Sequence, residues 1–207
     1  MTNVPVHPAH PASSSGSGPR GRFLGRVVSN RQLCQEHFGL TIQVDKFPPS
    51  VPGQFVQLDC TDENHPLPAL PPQEREWRIG NGGQSHDPDL AESRAFLRRP
   101  FSIAARRDLS TGATELEIIY RVVGKGTRHL ESLQPGNSIS LIGPLGHGFI
   151  VPTQLTQAIL VGGGVGIPPM FYLAESLRQS SHAAVAFIGA QKQALLPLTL
   201  TAVPPSP

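Results

Sequence analysis

Cysteine is scarce in this chain of 207 residues, which has two, Cys34 and Cys60. Two isolated cysteines are too few for a disulfide scaffold, a zinc site or an iron–sulfur cluster held by this chain alone. A large excess of one charge is also missing, because 17 Lys and Arg stand against 15 Asp and Glu. This balance argues against a nucleic acid partner, since neutralising a phosphate backbone takes a clustered excess of cations.

Long hydrophobic runs are absent as well. No stretch of the sequence approaches the roughly 18 consecutive apolar residues that a membrane span needs. The first 20 residues hold Pro, His, Ser and Gly without the apolar centre of a secretion signal. We therefore expect a cytoplasmic protein with no membrane anchor, long enough for one large domain or two small ones.

Two segments have little to bury. Residues 1–21 combine Pro, Ser and Gly with almost no large apolar side chain, which predicts a disordered tail. Residues 61–95 carry Pro68, Pro71, Pro72 and the Asn81-Gly82-Gly83 turn, which oppose both strand pairing and helix propagation. The second segment is predicted to be a long surface insertion.

The rest of residues 22–152 has the pattern of an antiparallel sheet or barrel. Short runs of β-branched and aromatic residues alternate with turn residues, as in RFLGRVV, FGLTIQV and QFVQLDC. In TELEIIYRVV the residues Leu116, Ile118, Tyr120 and Val122 recur with the period of a half-buried strand. Residues 126–133 predict a short helix that Thr127 caps and Pro135-Gly136 ends.

The pattern changes at residues 153–207, so we place a domain boundary near 150–156. An apolar run at 158–161 precedes a glycine cluster, then PPMFYLAESLRQ, then the apolar run AAVAFIGA. This order predicts strand, loop, helix and strand, the start of a parallel α/β sheet. One face of the helix would carry Met170, Leu173, Ala174 and Leu177. Two parallel strands under one helix cannot bury both faces of their sheet, so we expect a partial domain, either a fragment or one completed by another polypeptide.

The first candidate for ligand chemistry is the glycine cluster, with Gly163, Gly164 and Gly166 between a buried strand and an amphipathic helix. Glycines let the backbone approach a pyrophosphate closely, and the helix amino terminus offers amides and a positive dipole end. The cluster departs from G-x-G-x-x-G by having Pro at the last glycine position. A tight strand-to-helix turn without a ligand is the alternative interpretation.

The second candidate is Arg99-Pro100-Phe101-Ser102, a guanidinium followed at three residues by a hydroxyl in an extended segment. Arginine binds phosphate with two donors, and serine can donate to or accept from a ring edge. A surface arginine beside a core strand is the alternative.

The third candidate joins Ile119-Tyr120-Arg121 with Gly126-Thr127, where a Gly-Thr pair opens a helix. Amides at a helix start attract anions, and Tyr120 can border a ring. An ordinary half-buried strand tyrosine is the alternative for Tyr120.

In this order along the chain, four motifs resemble those of the ferredoxin reductase superfamily: RPFSI, IYRVVGKGT, GPLGHGF and GGGVGIPPM. The resemblance covers roughly residues 22–190, without the insertion. It implies an antiparallel FAD-binding β-barrel followed by the start of a Rossmann-like nicotinamide-binding domain. Within the superfamily, the wording is most similar to the electron transfer subunit of the NAD-linked, two-subunit dihydroorotate dehydrogenase.

The resemblance implies a role for each candidate residue. Arg99 would hold an FAD phosphate, and Ser102 would lie at the flavin ring near its reactive N5 as the catalytic residue. The cofactor would be lined by Ile119, Tyr120 and Arg121, and its pyrophosphate would be bound by Gly126 and Thr127. The nicotinamide dinucleotide, NAD(H), would be received by Gly163, Gly164 and Gly166. Pro100 and Phe101 stand where related reductases often carry a tyrosine that shields the flavin.

One departure from that subfamily concerns iron. Its members hold a [2Fe-2S] centre with four cysteines that follow the nicotinamide domain, and this sequence has no such cluster. We expect Cys34 and Cys60 to be small buried hydrophobes instead.

The resemblance implies an FAD-dependent oxidoreductase subunit in pyrimidine biosynthesis. It would pass electrons between NAD and a catalytic dihydroorotate dehydrogenase subunit, with which it would form a heterotetramer. Two alternatives stay open: a reductase subunit for a hydrogenase, sulfite reductase or oxygenase, and a truncated flavin-binding chain without turnover. With a partial nicotinamide domain, we expect FAD binding but slow reduction by NADH. The segment QKQALLPL does not decide between NAD and NADP.

Overall fold

The computed structural model describes residues 19–61 and 97–197. The predicted tail, apart from residues 19–21, and the predicted insertion, apart from Thr61, lie outside the described residues. Gly21 already belongs to the first strand and pairs with Gly143, so the barrel begins one residue earlier than expected.

Six antiparallel strands form a closed barrel in the order β1-β2-β5-β4-β3-β6. Their bounds are β1 (Gly21–Cys34), β2 (His37–Asp45), β3 (Phe55–Leu58), β4 (Arg99–Asp108), β5 (Ala113–Arg121) and β6 (Ser138–Leu145). The antiparallel barrel predicted from the alternating patterns is confirmed. Alternation is clearest in β5, where Leu116, Ile118 and Tyr120 are buried. These side chains join a core of 16 buried residues drawn from the barrel and the helix that covers one end of it.

That helix, α1 (Lys125–Ser132), begins differently from the prediction. Gly124 is the N-cap residue, and Thr127 lies in the first turn instead of capping it from outside. The Thr127 hydroxyl accepts hydrogen bonds from the amides of Val123 and Gly124, at 2.9 and 3.1 Å. The hydroxyl therefore satisfies the backbone amides of the two residues that precede the helix. The preference for threonine at the N-cap position does not predict this arrangement.

The second unit consists of β7 (Gln157–Gly163), a 3₁₀ turn (Gly164–Gly166), α2 (Ile167–Gln179) and β8 (Ala183–Gly189). The two strands pair in parallel, as predicted. The predicted helix face is confirmed, because Leu173 and Leu177 are buried against Leu160 with Met170 and Ala174 beside them.

One face of this small sheet has no cover among the described residues. Ile159 pairs with Val185 and Val161 pairs with Phe187, so the four side chains share a face. Val161 is 73% exposed and Phe187 is 60% exposed. The second unit buries 3 residues in its own cluster, against 16 in the barrel core, so most of the hydrophobic stabilisation lies in the barrel.

The two cysteines differ in environment. Cys60 is buried, and desolvation raises the pKa of its thiol to about 11. Cys34, at the end of β1, is half-buried, so the expectation that both are buried is wrong for Cys34. Within residues 19–61 and 97–197, no group of three or more His, Cys, Asp or Glu could hold a metal ion. No helix in the same ranges is long and apolar enough to cross a membrane.

Candidate functional site

A cleft of about 850 Å³ lies between the barrel and the second unit. Its barrel wall comes from β2, β4, β5 and the start of α1, and its other wall includes the carboxyl ends of β7 and β8. The volume falls within the range of about 300–1,000 Å³ that is typical of small-molecule sites. The carboxyl ends of parallel strands are where ligands bind in α/β sheets.

Nine of the twelve predicted site residues line this cleft. The barrel and α1 contribute Pro100, Phe101, Ser102, Ile119, Tyr120, Arg121 and Thr127, and the glycine loop contributes Gly163 and Gly164. The other three are not part of its lining. Arg99 is exposed next to Pro100, Gly126 is buried inside α1, and Gly166 is the half-buried N-cap of α2.

Antiparallel pairing brings these distant segments together. Ile103 pairs with Ile118, so Ser102 and Ile119 follow side by side on neighbouring strands. On the other side of β5, Tyr120 pairs with Phe38 and Arg121 pairs with His37. The cleft floor is therefore three adjacent strands, β4, β5 and β2.

Tyr120 belongs to the core more than to the cleft. Its ring stacks on Phe38 with centroids 5.8 Å apart and meets Phe101 edge-on at 6.2 Å. Its hydroxyl donates a hydrogen bond of 3.2 Å to Asn30. Desolvation raises the pKa of Tyr120 well above its ordinary value. The hydroxyl is thus committed to the barrel, and Tyr120 borders the cleft as an apolar surface.

Two neighbouring arginines have different surroundings. Arg98 donates to the Asp59 carboxylate at 2.9 Å and to Oγ of Ser140 at 2.9 Å. Desolvation opposes ionisation of Asp59, but hydrogen bonds from Thr61 and the charge of Arg98 outweigh it, so the pKa of Asp59 is lowered. Arg99 is exposed, and no described residue forms an ion pair or hydrogen bond with its side chain. Of the two, Arg99 is the guanidinium that can receive an anion.

The end of β5 is held from the β1–β2 turn. Arg121 donates from Nε to the Glu36 carboxylate at 2.8 Å, and the Val122 amide donates to the Glu36 carbonyl oxygen at 2.8 Å. Both side chains of the ion pair are more than 40% exposed, so its main effect is to orient Arg121, with little gain in stability.

The glycines of the loop fall into two kinds. A Cβ on Gly162 would lie 3.0 Å from Met170 and 3.1 Å from the Gly166 carbonyl oxygen, so packing requires glycine there. A Cβ on Gly163 would make an ordinary 3.6 Å contact, and one on Gly166 would meet no atom within 4 Å. Gly164 has a φ of +53°, which favours glycine for its backbone. Packing does not account for Gly163 or Gly166, and both positions leave room for a close-lying ligand.

The sequence patterns missed part of the lining. The cleft also includes His37, Val123, Val165 and Pro168, together with Gly189 at the end of β8 and, after it, Ala190, Gln191, Leu195 and Pro197. Gly189 pairs with Gly163 at the carboxyl ends of the two parallel strands, so strand topology is the signal that would have found it. His37 follows from the β2–β5 register, which no local pattern reveals.

Comparison with known proteins gives the same picture. The chain is 30% identical over 170 residues to a dihydroorotate dehydrogenase B (NAD(+)) electron transfer subunit from Lysinibacillus sphaericus, covering 81% of this chain and 54% of that protein. It is 40% identical over 179 residues to the same subunit from Bacillus caldolyticus, covering 84% of this chain and 56% of that protein. No family model matches the chain.

Solved structures agree on the fold. Phthalate dioxygenase reductase superposes with a TM-score of 0.57 at 15% identity, covering 84% of this chain and 45% of that chain. The Amycolatopsis cytochrome P450 reductase GcoB gives 0.56 at 20% identity, covering 86% and 46%. The chain has the ferredoxin reductase fold. The predicted fold class is thereby confirmed.

The described residues form the barrel and one parallel strand–helix–strand unit. The chain spans about half the length of the curated relatives it matches. The sequence resemblance to dihydroorotate dehydrogenase electron transfer subunits is confirmed over the aligned residues.

Proposed function

We propose that this chain is an FAD-binding electron transfer component that exchanges electrons with a nicotinamide dinucleotide on behalf of a dihydroorotate dehydrogenase. The observation that carries the proposal is one cleft, between the barrel and the second unit, that brings the predicted motifs together. It gathers residues of β4, β5, the start of α1 and the glycine loop from positions 100–164 of the chain. The similarity to electron transfer subunits of that enzyme supports the choice of system.

The residues present fit a flavin dinucleotide. An anion would find the unpaired guanidinium of Arg99 and the amino terminus of α1, whose dipole end is positive. A planar ring would lie against the apolar surface of Pro100, Phe101 and Tyr120. Bound FAD would supply the hydride and single-electron chemistry, which no side chain of the cleft provides.

We assign the roles as follows. Arg99 binds a phosphate, and Ser102 places its hydroxyl at the ring edge, where it can donate or accept a hydrogen bond. Thr127 holds the first turn of α1 in the shape that presents its amides. Gly163, Gly164 and Gly166 leave the space beside the loop free of side chains, so that a nicotinamide dinucleotide can approach the same cleft from the second unit.

The partner we propose is a catalytic dihydroorotate dehydrogenase subunit, with an iron–sulfur centre between the two redox sites. The chain has two cysteines, fewer than the four thiolates that hold a [2Fe-2S] centre, so further ligands would come from elsewhere in the assembly. The assembly would be a cytoplasmic heterotetramer serving pyrimidine biosynthesis.

The visible absorption spectrum of the purified chain tests cofactor binding. We expect flavin bands after purification or after incubation with FAD, and their slow bleaching by NADH under anaerobic conditions. A protein that remains colourless and does not quench added FAD fluorescence would contradict the proposal.

Reconstitution tests the partner. The chain is mixed with a catalytic dihydroorotate dehydrogenase subunit from the same organism, and dihydroorotate-dependent NAD reduction is followed. Co-elution on gel filtration together with this activity is the expected outcome. Flavin binding without co-elution would reject the dihydroorotate system while keeping the flavoprotein, and would favour a reductase for another acceptor.

A further inference from the structure

His37 is the first residue of β2 and lines the cleft directly beside Arg121, its partner in the β2–β5 ladder. Among the described lining residues it is the one imidazole. None of the motifs that carry the family resemblance includes His37, because those motifs lie on β4, β5, α1 and the glycine loop.

The hydrogen bonding of the ring fixes what it can offer. Nδ1 lies 3.0 Å from the Gln35 carbonyl oxygen, and a carbonyl oxygen can accept but not donate. Nδ1 therefore carries the proton, which leaves Nε2 of the neutral ring as an acceptor. No described residue hydrogen-bonds to Nε2.

The turn that carries His37 is anchored on both sides of the cleft. The carboxylate and carbonyl oxygens of Glu36 bind Arg121 and the Val122 amide on the barrel side. The Gln35 amide donates at 3.1 Å to the carbonyl oxygen of Ala194, in the 3₁₀ turn Gln193–Leu195 that follows β8. The imidazole is thus held in place before any ligand arrives, which reduces the entropy lost on binding.

The position of His37 in the sheet indicates which part of a bound dinucleotide it would contact. Ser102 lies on β4 and His37 lies on β2, with β5 between them. Two strand spacings separate them by about 10 Å across the sheet. If Ser102 faces the flavin ring, His37 faces the half of the dinucleotide remote from that ring.

We propose that His37 binds the adenosine half of FAD, with Nε2 accepting a hydrogen bond from a ribose hydroxyl. This inference rests on the proposed FAD function. It adds a binding residue on β2, and it predicts that His37 contributes to affinity for FAD but not for FMN, which lacks the adenosine half.

The test measures the Kd of FAD and of FMN by flavin fluorescence for the wild type, His37→Leu, His37→Gln and a control, His129→Leu. His129 lies in the last turn of α1 and is not part of the cleft lining. Loss of one neutral hydrogen bond predicts that His37→Leu weakens FAD binding by about 3- to 10-fold. The FMN affinity should stay at the wild-type value. His37→Gln, whose amide oxygen can replace Nε2 as the acceptor, should retain most of the FAD affinity.

Each other outcome is decisive. Wild-type FAD affinity in His37→Leu overturns the inference, and so does equal weakening of FAD and FMN, which would indicate a distorted turn. If His37→Leu fails to fold by circular dichroism, His37→Ala takes its place in the same comparison. A wild-type chain that binds neither flavin refutes the proposed function itself, which is distinguishable from failure of the His37 assignment alone.

Discussion

The hydroxyl of Tyr172 on α2 donates a 2.7 Å hydrogen bond to the backbone carbonyl oxygen of Ser50 in the barrel. The same barrel loop is held from the other side by Arg106, which donates to the Pro48 carbonyl oxygen at 2.6 Å and to Oγ of Ser50 at 3.1 Å. Burial raises the pKa of Tyr172, so the phenol stays protonated and remains a donor. The helix that follows the glycine loop is therefore fastened to a rigid point of the barrel.

Tyr172→Phe removes this hydrogen bond and keeps the ring. We expect unfolding free energy to fall by about 1 kcal/mol and reduction of bound FAD by NADH to slow, because the glycine loop loses its fixed position. FAD affinity should not change, and stopped-flow absorbance with a fluorescence titration measures the two separately. The matched control is Tyr120→Phe, which removes the hydrogen bond to Asn30 inside the barrel. Equal reduction rates in Tyr172→Phe and the wild type would refute the fastening role.

Arg99→Gln should weaken FAD binding, whereas Arg98→Gln should lower the stability of the fold. The Arg99 side chain forms no ion pair or hydrogen bond with a described residue, so its loss should leave thermal stability unchanged. It should weaken FAD binding by about 10-fold or more, the usual value of a hydrogen bond to a charged group. Arg98 holds Asp59 and Ser140, so its loss should lower stability by about 1–3 kcal/mol. Isothermal calorimetry and urea unfolding distinguish the two. If Arg98→Gln instead weakened FAD binding most, the assignment of the phosphate contact would be wrong.

Gly163→Ala tests whether this position is glycine because of a bound ligand or because of packing. The new methyl meets the Gly189 carbonyl oxygen at an ordinary 3.6 Å, so the free energy of unfolding should hold or rise by about 0.4 kcal/mol. NADH binding should weaken because the methyl lies in the cleft wall. Gly162→Ala, which forces Met170 aside, should instead cost about 1–3 kcal/mol of stability. Calorimetric binding of NADH with parallel thermal melts measures both, and unchanged NADH affinity in Gly163→Ala would count against this wall.

Asp108 makes the stability of the barrel depend on pH in the acid range. Hydrogen bonds from Arg106 hold the pKa of this carboxyl below its ordinary value of 3.8, with a further hydrogen bond from Thr114. Because the folded pKa is the lower one, the carboxylate stabilises the fold above the unfolded pKa, and the contribution is lost as pH falls through the folded pKa. The carboxylate is 65% exposed, so the effect is at most about 0.5 kcal/mol. Urea unfolding of the wild type and Asp108→Asn at neutral pH and below pH 3.8 should show a difference that shrinks in acid. A difference that stays constant over that range would rule out the linkage.

Local patterns were sufficient for much of this molecule. The period of two in β5 and the helical spacing of Met170, Leu173, Ala174 and Leu177 identify buried faces, because each depends on neighbours along the chain. The glycine loop and the RPFS strand were likewise recognisable, since their residue types are constrained by backbone shape or by ligand chemistry.

Long-range contacts were not predictable in this way. The RPFS motif points to Arg99, but no local pattern shows that Arg98 is held by Asp59 and Ser140, which lie 39 and 42 residues away. His37 enters the cleft through a strand register, and Thr127 bonds backward to amides that a cap rule assigns to another residue. In each case the deciding partner is set by the closed barrel and not by the adjacent residues.

The two walls of the cleft differ in how readily they open locally, because their strands differ in unpaired edges. The pairing of β1 with β6 closes the barrel, so its strands leave no open edge, whereas β7 and β8 each have one edge without a partner in the described residues. Unpaired edges and a small core make local opening cheap, so amide hydrogens of β8 should exchange with solvent long before those of β5. We expect the barrel wall to persist while the opposite wall opens and re-forms many times. A dinucleotide that touches both walls would then slow exchange in β8 most of all.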